Sequence, residues 1–600
     1  MDKMDGMTMD IEQENVEKLK EVFPEVFMGG KVDFDKLQGL LGNYIADDKE
    51  KYSFSWKGKA DSLRLAQKRS TGTLRPCKEE SKDWDTTGNL YIEGDNLEVL
   101  KLLQSSYLNS IKMIYIDPPY NTGSDFVYTD DFADGIAHYK EVTRQTTKSN
   151  PETAGRYHTN WLNMMYPRLK LARNLLTDDG VIFISIDDNE QANLKKLCDE
   201  VFGEDNFVAD VIWKRKRGRD NSAKWFSKSH EYLLIYAKKL EEFNTNYLEL
   251  NEETKAAYKN PDNDPRGPYR MLGCWARGTQ GGVKYDFTTK KGQYFTERLW
   301  LFSKENLQKL DEEDKLIIHG DNVYRKMFIF ENKGKIPETI WDSTSNAANA
   351  ADEIKKIFGG IIFDTPKPIP YVIEMLKVAT DKESLILDFF SGSATTAHAV
   401  MQLNAEDGGH RRFICVQLPE KTDEQSEAYK AGYKTICEIG KERIRRAGEK
   451  IKKESPLTTQ NLDTGFKVFK LDSSNLAKWD NTPTTDEEEV KKRIQQSLFY
   501  LVEGREDLDL IYEIMLKYGL SLTLPVEERK FDNVPAYIIN HPDYKVLICL
   551  QPNITLSAVE EMDKETIGTY IFADRCFADA NILSNTEEIL KKKDKEMRLF

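Results

Sequence analysis

The sequence predicts an α/β fold: a mixed, mostly parallel sheet covered by helices, interrupted by an insert and followed by a C-terminal α+β domain. From Leu90 onward, short apolar runs such as NLYIEGD and IKMIYID alternate with amphipathic segments such as NLEVLKLLQSSY. Alternation of this kind favours parallel strands joined by helices. The rhythm is lost between residues 245 and 355 and returns at SLILDFF, which indicates one core in two halves.

The other segments have patterns of their own. The N-terminal segment has helical apolar spacing, broken by Pro24 and by the pair Gly29-Gly30. The insert is rich in turn residues, as in NPDNDPRGPYR and GTQGG, which predicts irregular structure, and the last segment has an apolar strand at VLICLQ. The predicted order is a helical unit, the first core half, the insert, the second core half and the C-terminal domain, at residues 1–50, 51–244, 245–355, 356–455 and 456–600.

The composition excludes several classes of protein. Apolar residues make up 39% and charged residues 31% of the 600 residues, which is typical of folded protein and not of a disordered tail. No apolar run approaches the roughly 18 residues that a membrane span needs. Met1 to Asp10 show no signal-peptide pattern. We therefore expect a cytoplasmic protein.

The cysteines and histidines predict neither disulfides nor a metal site. The seven cysteines form no C-x-x-C pair, and an odd number argues against a disulfide framework. We expect them to be reduced residues of the core. The seven histidines show no H-x-x-x-H spacing, so the sequence assigns no metal.

A basic run lies within this chain, whose net charge is −15. Between Lys214 and Lys228, seven basic residues accompany one acidic residue, and Trp225 and Phe226 lie among them. Phosphate responds to the local field and not to the sum over the chain, so the run predicts contact with a nucleic-acid backbone. The alternative is a solvated loop. The candidate residues are Lys214, Arg215, Lys216, Arg217, Arg219 and Lys224.

The tetrapeptide Asp117-Pro118-Pro119-Tyr120 directly follows the apolar run IKMIYI. Ligands of parallel sheets bind beyond the carboxyl ends of strands, so a reactive group belongs here. The Asp117 carboxylate and the Pro118 carbonyl can accept both hydrogens of an adenine amino group and direct its lone pair at an electrophile. The prolines restrict the loop, and Tyr120 offers a face on which a base extruded from duplex DNA can stack. The alternative is a proline turn that ends a buried strand.

A second strand, SLILDFF, runs into the small-residue loop SGSA and a helix. Small residues let a ligand approach the backbone, and a helix N-terminus favours a carboxylate or phosphate. The loop lacks the G-x-G-x-x-G and G-K-[ST] patterns, which disfavours NAD or ATP as its ligand. The alternative is a capped helix after a strand, with Thr395 or Thr396 near the cap.

Together, D-P-P-Y at residue 117 and D-F-F-S-G-S-A-T-T at residue 388 resemble the beta group of amino-methyltransferases. In that group the catalytic half of a Rossmann-like fold precedes the half that binds S-adenosylmethionine. The segment FDTPKP, which in the group contacts the methionine end of the cofactor, is also present. Its Asp364, Thr365 and Lys367 would supply an acceptor, a hydroxyl and a cation. The resemblance implies an S-adenosylmethionine-dependent methyltransferase core.

The same resemblance implies further contacts with the cofactor. Asp95 would accept a hydrogen bond from the cofactor's adenine, and the end of RRFICVQLPE would face its ribose hydroxyls. Gln417 stands where the group usually has an acid, with Glu420 nearby, and Ala394 replaces a common glycine. A glutamine still hydrogen-bonds a hydroxyl, with less charge assistance. The cofactor-binding residues implied in this way are Asp95, Phe363, Asp364, Thr365, Lys367, Asp388, Phe390, Ser391, Gly392, Ser393, Thr395, Gln417 and Glu420.

The likeness extends over nearly the whole chain. The segments GDNLEVLKLL, DPPYNTGSDFVYTDDF, WLNMMYPRLKLARNLL and GVIFISIDDNE are similar to the modification (Mod) subunits of type III restriction-modification systems. This implies methylation of adenine N6 at a short asymmetric site in double-stranded DNA. It also implies an insert that recognises the target, a C-terminal domain for self- or partner-contact, usually a homodimer, and an ATP-dependent restriction (Res) subunit as partner. The insert residues suited to reading base edges are Arg266, Arg270, Arg277, Lys284 and Asn346.

Several alternatives stay open on the sequence alone. Methylation of cytosine N4 would keep the chemistry, although in the beta group it more often accompanies serine than aspartate at the first motif position. A catalytically silent DNA-binding module would bind no cofactor. An RNA or protein methyltransferase would differ in substrate, and an orphan regulatory methyltransferase would lack a restriction subunit. Because the sequence has no Walker motif and no nuclease signature, cleavage would belong to another polypeptide.

Overall fold

The computed structural model describes residues 7–41, 53–122, 156–276, 281–342, 346–475, 502 and 504–600. The chain has two compact units: the larger combines Met1–Asn244 with Glu338–Phe600, and the smaller is Thr245–Pro337. The helices α1 to α16 are, in chain order, Ile11–Val22, Phe34–Leu41, Lys59–Gln67, Asn96–Tyr107, Arg156–Leu175, Gln191–Phe202, Glu252–Ala256, Lys304–Glu312, Ala347–Phe358, Ile369–Ala379, Thr395–Asp407, Glu427–Lys430, Ile436–Glu454, Asp507–Lys517, Leu556–Met562 and Ala580–Lys591. The strands β1 to β22 are Phe27–Met28, Lys31–Val32, Gly72–Pro76, Leu90–Glu93, Ile111–Ile116, Leu176–Ile186, Phe207–Trp213, Glu231–Ala237, Tyr269–Gly273, Val283–Thr288, Tyr294–Trp300, Leu316–His319, Asn322–Phe328, Ile340–Trp341, Leu385–Asp388, Arg412–Gln417, Lys467–Ser473, Val526–Phe531, Val534–Asn540, Lys545–Cys549, Thr569–Phe572 and Glu596–Leu599.

The larger unit contains a 10-stranded sheet in the order β14-β7-β8-β6-β5-β15-β16-β4-β17-β3. Strands β3 and β8 run against the others, so the sheet is mixed and mostly parallel, which confirms the predicted fold class. At its centre β5 pairs with β15 in parallel, with Met113 opposite Ile386 and Ile114 opposite Leu387. The two halves of the core, far apart in sequence, therefore meet strand against strand.

The central strands are apolar because both faces of the sheet are covered. Along β5, Ile114 and Ile116 belong to one buried cluster, whereas Met113 and Tyr115 belong to the other. Successive side chains of a strand point to opposite faces. A strand buried on both faces therefore needs apolar residues in succession, which is why IKMIYI shows little polar alternation.

The strand directions place the chemistry-bearing residues at one edge of the sheet. Asp117 follows β5, Asp388 ends β15 and Gln417 ends β16, and these three strands are parallel. Because β8 runs in the opposite direction, it begins at this same edge, with Glu231. We call this edge the carboxyl edge.

The smaller compact unit and the predicted insert, residues 245–355, begin at the same residue and end at different ones. The smaller unit ends at Pro337 and not at residue 355. Beyond it, β14 pairs in parallel with β7 in the large sheet, with Trp341 opposite Trp213. A strand of two residues is too short to produce a periodic signal, so its sequence gives no sign that the chain has returned to the sheet.

The described residues of the segment 456–600 share a buried cluster with the large sheet. Strand β17 lies inside the large sheet, between β4 and β3. The second sheet, β18-β19-β20-β21-β22, contributes Ile548 and Ile571 to the same buried cluster as Leu510 of α14 and Ile92 of β4. Strand β20 matches the predicted strand VLICLQ, but an apolar run does not reveal what it packs against.

The smaller unit, taken by itself, contains two antiparallel sheets, β12-β13-β9 and β10-β11, and the helices α7 and α8. Its buried cluster includes Cys274, Phe287, Trp300 and Val323. Trp300 packs edge-on against Phe287, with ring centroids 5.8 Å apart. The turn-rich segment NPDNDPRGPYR lies between α7 and β9 and ends within β9. Part of the other segment, GTQGG, lies outside the described residues.

The described N-terminal residues form α1, α2 and the short pair β1-β2. Within the described ranges, no helix combines the length and apolar character required to cross a membrane. The same residues include no group of three or more His, Cys, Asp or Glu side chains placed to hold a metal ion. All seven cysteines are buried and free, as expected for reduced core residues.

Candidate active site

A cavity of about 590 Å³ opens at the carboxyl edge of the large sheet. It is formed by the loop after β5, the segment 363–367 before α10, the loop after β15, the ends of β7 and β16, and the start of β8. Its lining includes these residues, which the sequence predicts for catalysis and cofactor binding: Asp117, Pro118, Pro119, Tyr120, Phe363, Asp364, Thr365, Lys367, Asp388, Phe390, Ser391, Gly392, Ser393, Thr395, Gln417 and Glu420.

The loop after β5 is held at its second proline and at the residue that follows Tyr120. The indole N–H of the buried Trp161, on α5, donates to the Pro119 carbonyl at 2.7 Å. Asn121 has a positive φ of 60° and donates to the carboxylate of the buried Glu190 at 2.5 Å. These contacts fix the turn, so Asp117 and Tyr120 project into the cavity from a restrained loop.

Lys367 lies against the carboxylate of Asp117. Its Nζ is 2.7 Å from both carboxylate oxygens and 3.8 Å from Glu231 Oε2. Burial alone would lower the pKa of Lys367, but the charges of Asp117 and Glu231 outweigh burial and raise it. The sequence motif implies that Lys367 contacts the methionine end of the cofactor, whereas in the structure Lys367 pairs with Asp117, in the loop after β5.

Glu231 is a residue of the cavity that sequence reasoning missed. It is buried, its Oε2 accepts a hydrogen bond from the Tyr120 hydroxyl at 3.1 Å, and its Oε1 lies 2.9 Å from Arg215 NH1. Burial, with the charge of Asp117 next in importance, raises the pKa of Tyr120 well above its usual value. The tyrosine is therefore a neutral hydrogen-bond donor whose ring is held by Glu231. An acid immediately before the apolar run YLLIYA was the available signal.

Asp388 organises the loop after β15 from within. Its Oδ1 accepts from the Phe390 backbone N–H at 3.1 Å, and its Oδ2 accepts from the Thr396 hydroxyl at 2.5 Å. Burial raises the pKa of Asp388 to about 7, against the opposing effect of these two hydrogen bonds. Both oxygens are used by the loop itself, so this carboxylate shapes the loop.

The loop after β15 has the geometry of a binding cradle. Gly392 has a positive φ of 49°, and its N–H donates to Gln417 Oε1 at 2.7 Å. A Cβ at this position would meet the Phe363 ring at 3.4 Å, so glycine keeps the backbone open to the cavity. The buried hydroxyl of Ser391 has no hydrogen-bond partner among the described residues. An unsatisfied buried hydroxyl in a cavity fits a polar ligand such as the implied cofactor.

Arg443, on α13, supports this loop from behind and was also missed. Its guanidinium is fully buried, and NH1 donates to Ser393 Oγ at 2.8 Å and to Thr395 Oγ1 at 2.6 Å. Burial lowers the pKa of Arg443 to about 10. The run KERIRRAGEKIKK looks like a solvated basic helix, but Gly440, Ala447 and Ile451 share the buried face with Arg443, and this helical spacing was the available signal.

Asp95 is the one predicted cofactor residue that is not among the residues lining the cavity. It is the N-cap of α4, where its Oδ1 accepts from the N–H groups of Leu97 and Glu98 at 3.0 and 3.1 Å. Its Oδ2 lies 3.2 Å from the guanidinium of the buried Arg168. The structure therefore shows Asp95 in helix capping and an ion pair.

The basic run forms an irregular loop between β7 and β8, which we call the basic loop (residues 214–230). Because β7 ends and β8 begins at the carboxyl edge, this loop belongs to the edge that carries the cavity. Arg215 lines the cavity, while Lys214, Lys216, Arg217, Arg219 and Lys224 are exposed or partly exposed. Trp225 and Phe226 are 82% and 91% exposed, so these two aromatic side chains are open to a partner.

The five residues that the sequence suggests for reading base edges differ in their surroundings. Arg266 is engaged within the smaller unit: its Nε and NH2 donate to the two oxygens of Asp264 at 2.9 and 2.8 Å. Arg270 is exposed on β9, and Lys284 is exposed on β10 with Glu297 at 2.9 Å. Asn346 is the N-cap of α9, in the larger unit. Arg277 lies outside the described residues.

Comparison with known proteins agrees with this geometry. Residues 111–447, which include both loops of the cavity, match the family described as DNA methylase. The type III restriction-modification enzyme EcoPI Mod subunit of Escherichia phage P1 is 33% identical, over 91% of this chain and 89% of its own length. The EcoP15I Mod subunit of Escherichia coli is 32% identical over the same shares. The StyLTI Mod subunit of Salmonella typhimurium is 39% identical over a stretch that covers 70% of this chain and 66% of that relative.

Proposed function

The chain belongs to the DNA methylase family and, within it, to the type III Mod subunits; on this premise we propose that it methylates adenine N6 in DNA. The methyl donor is S-adenosylmethionine, and the target is a short asymmetric sequence of double-stranded DNA. One observation carries the proposal: the pairing of β5 with β15 brings the Asp117 loop and the Gly392 loop into one cavity. A base and a donor held by these loops lie side by side, as in-line transfer requires.

The loop after β5 holds the target base. Its Asp117 carboxylate and Pro118 carbonyl accept the two amino hydrogens, which favours a pyramidal nitrogen whose lone pair points out of the ring. Tyr120, held through its hydroxyl by Glu231, stacks on the base. Asp117 need not act as a full general base, because the proton can leave after positive charge has developed on nitrogen.

The loop after β15 and its neighbours hold the donor. When bound, S-adenosylmethionine supplies an electrophilic sulfonium methyl group. The Ser391 hydroxyl, which has no hydrogen-bond partner among the described residues, and the open backbone at Gly392 support binding there. We assign the contacts with the methionine end to Asp364 and Thr365, because both line the cavity. For the same reason we assign the contacts with the ribose hydroxyls to Gln417 and Glu420.

A base of duplex DNA can reach the cavity only if it leaves the base stack. We assign the phosphate contacts to the exposed cations of the basic loop, because its net charge of +6 adjoins the cavity edge. Within the smaller unit we assign base reading to exposed residues such as Arg270 and Lys284. The pair of Lys284 with Glu297 is exposed and open to exchange, whereas Arg266 is bound to the buried Asp264.

Transfer of tritiated methyl groups to unmethylated duplex DNA, followed by nucleoside analysis, tests the function. Wild-type protein should yield N6-methyladenine, and Asp117→Ala should yield none above background. Asp179→Ala is a matched control, because this exposed acid pairs with Lys112 and does not line the cavity. N4-methylcytosine as the product would overturn the base assignment, and wild-type protein that binds no S-adenosylmethionine would overturn the proposal as a whole.

We further propose that the protein acts as a homodimer and joins an ATP-dependent restriction subunit. The relatives support a partner subunit, because each is named as one subunit of a restriction-modification enzyme. The homodimer is proposed from the resemblance to Mod subunits. Light scattering on the purified protein should give twice the chain mass of 69.3 kDa. A monomeric mass would contradict the dimer, and failure to co-purify with a co-expressed restriction subunit would contradict the partner.

A further inference from the structure

We propose that Glu231 is a positioning residue for methyl transfer: it takes the Lys367 ammonium away from Asp117 when the target base enters. The inference rests on the proposed function and deepens it. Its starting point is a conflict in the cavity. Lys367 Nζ lies 2.7 Å from both oxygens of Asp117, so it occupies the carboxylate that must accept a hydrogen from the amino group of the base.

Lys367 cannot simply lose its partner. Its side chain is 11% exposed, and a buried ammonium without a counter-charge carries a large desolvation cost. A second carboxylate must therefore receive it. Glu231 Oε2 is 3.8 Å from Lys367 Nζ, so a small rotation of the lysine exchanges one carboxylate for the other.

Glu231 is itself held by Arg215, whose NH1 lies 2.9 Å from Oε1. Four alternating charges thus run from the basic loop to the catalytic loop: Arg215, Glu231, Lys367 and Asp117. The Arg215 side chain is 41% exposed, so a DNA phosphate can compete with Glu231 for the guanidinium. Contact of Arg215 with phosphate leaves the Glu231 charge available to Lys367 and frees Asp117 for the base.

The first test separates charge from shape. Glu231→Gln keeps the size and the acceptor for the Tyr120 hydroxyl but removes the charge that attracts Lys367. We expect its single-turnover methylation rate to fall about 10- to 100-fold, while the Kd for S-adenosylmethionine stays unchanged. Glu231→Asp retains the charge and should recover part of the rate. Glu200→Gln is the matched control, because Glu200 also accepts a tyrosine hydroxyl and pairs with a lysine, away from the cavity.

The second test asks whether Arg215 acts through Glu231. In a double-mutant cycle on the single-turnover rate, Arg215→Ala and Glu231→Gln should combine non-additively, by more than about threefold. Lys216→Ala, which changes another cation of the same loop, should combine additively with Glu231→Gln. Additivity of Arg215 with Glu231 would overturn the link to the basic loop.

The outcomes distinguish this inference from the proposed function. Wild-type transfer to adenine with an unchanged rate for Glu231→Gln overturns the role of Glu231 alone. Equal losses in Glu231→Asp and Glu231→Gln overturn the charge-based explanation. Wild-type protein without any transfer to adenine overturns the proposed function and this inference with it.

Discussion

Asp117 and Asp388 follow or end two neighbouring parallel strands, yet their carboxylates have opposite surroundings. The Asp117 side chain is 26% exposed, and its oxygens face the ammonium group of a long side chain, Lys367. Asp388 is 3% exposed, and its oxygens bind the backbone and a hydroxyl of its own loop. The same residue type at equivalent positions therefore carries a charge at the cavity, paired with Lys367, in one loop and shapes the backbone in the other.

The largest expected effect comes from neutralising the acid that faces the ligand. Asp117→Asn should lower the rate of methyl transfer by about 10²- to 10³-fold, because an uncharged amide oxygen accepts the amino hydrogen more weakly than the carboxylate does. Calorimetric affinity for S-adenosylmethionine should be unchanged. An equal loss of cofactor affinity would erase the distinction between the two loops.

Neutralising the buried acid should change stability and its pH dependence. Burial raises the pKa of Asp388 from 3.8 to about 7, so the folded state binds this proton more tightly than the unfolded state. The free energy of unfolding therefore falls as pH rises from about 4 to about 7, by up to about 4 kcal/mol from this group. Asp388→Asn should lack this contribution. Chemical denaturation of both proteins across that range checks it, and identical pH slopes would contradict it.

Arg443, which supports the loop after β15, provides a sharper test of the difference between the two loops. Arg443→Met removes two hydrogen bonds to Ser393 and Thr395 and should weaken S-adenosylmethionine binding about tenfold. The extent of base extrusion, measured by 2-aminopurine fluorescence, should change little. Arg446→Met is the control on the same helix, because Arg446 pairs with Glu442. Equal effects of the two variants would show that the helix as a whole, and not this guanidinium, supports the loop.

The smallest effect is expected at the basic loop. Removing Arg217 and Arg219 together should weaken DNA binding a few-fold at moderate salt. It should also reduce the slope of log Kd against log salt by about 0.9 for each phosphate that these cations neutralise in the wild-type complex. Cofactor affinity should not change. Replacement of Lys591 and Lys592, at the end of α16, by alanine serves as the control. An unchanged salt slope would mean that the loop is a solvated surface.

The sequence predicts both loops because each follows an apolar strand, and parallel strands bring their carboxyl ends to one edge. Within the larger unit, residues 117–120 and 388–396 could be named for that reason. The ion-pair partner of Asp117 could not be predicted, because Lys367 is distant in sequence and its own motif implies a contact with the cofactor. Two side chains form an ion pair only when they lie within a few ångströms of each other, and the order of strands does not predict distances between side chains.

Glu231 and Arg443 escaped prediction for different physical reasons. Glu231 reaches the cavity because β8 runs antiparallel to β6. An apolar run predicts a strand but does not predict the direction of that strand in the sheet. Arg443 is buried on a helix with many other charged residues, so composition conceals it. Arg266 shows the converse: its residue type suits base reading, but Asp264, two residues earlier, already binds it.

The return of the chain at β14 has an evolutionary consequence. The smaller unit leaves the large sheet after β8 and the chain rejoins it at β14, with only β7 between these two strands. Both junctions are thus confined to one flank of the sheet, whereas β5 and β15 pair at its centre. On the proposed function, in which the smaller unit reads the target, exchange of the segment between these junctions would change the target sequence and leave the pairing of β5 with β15 unchanged.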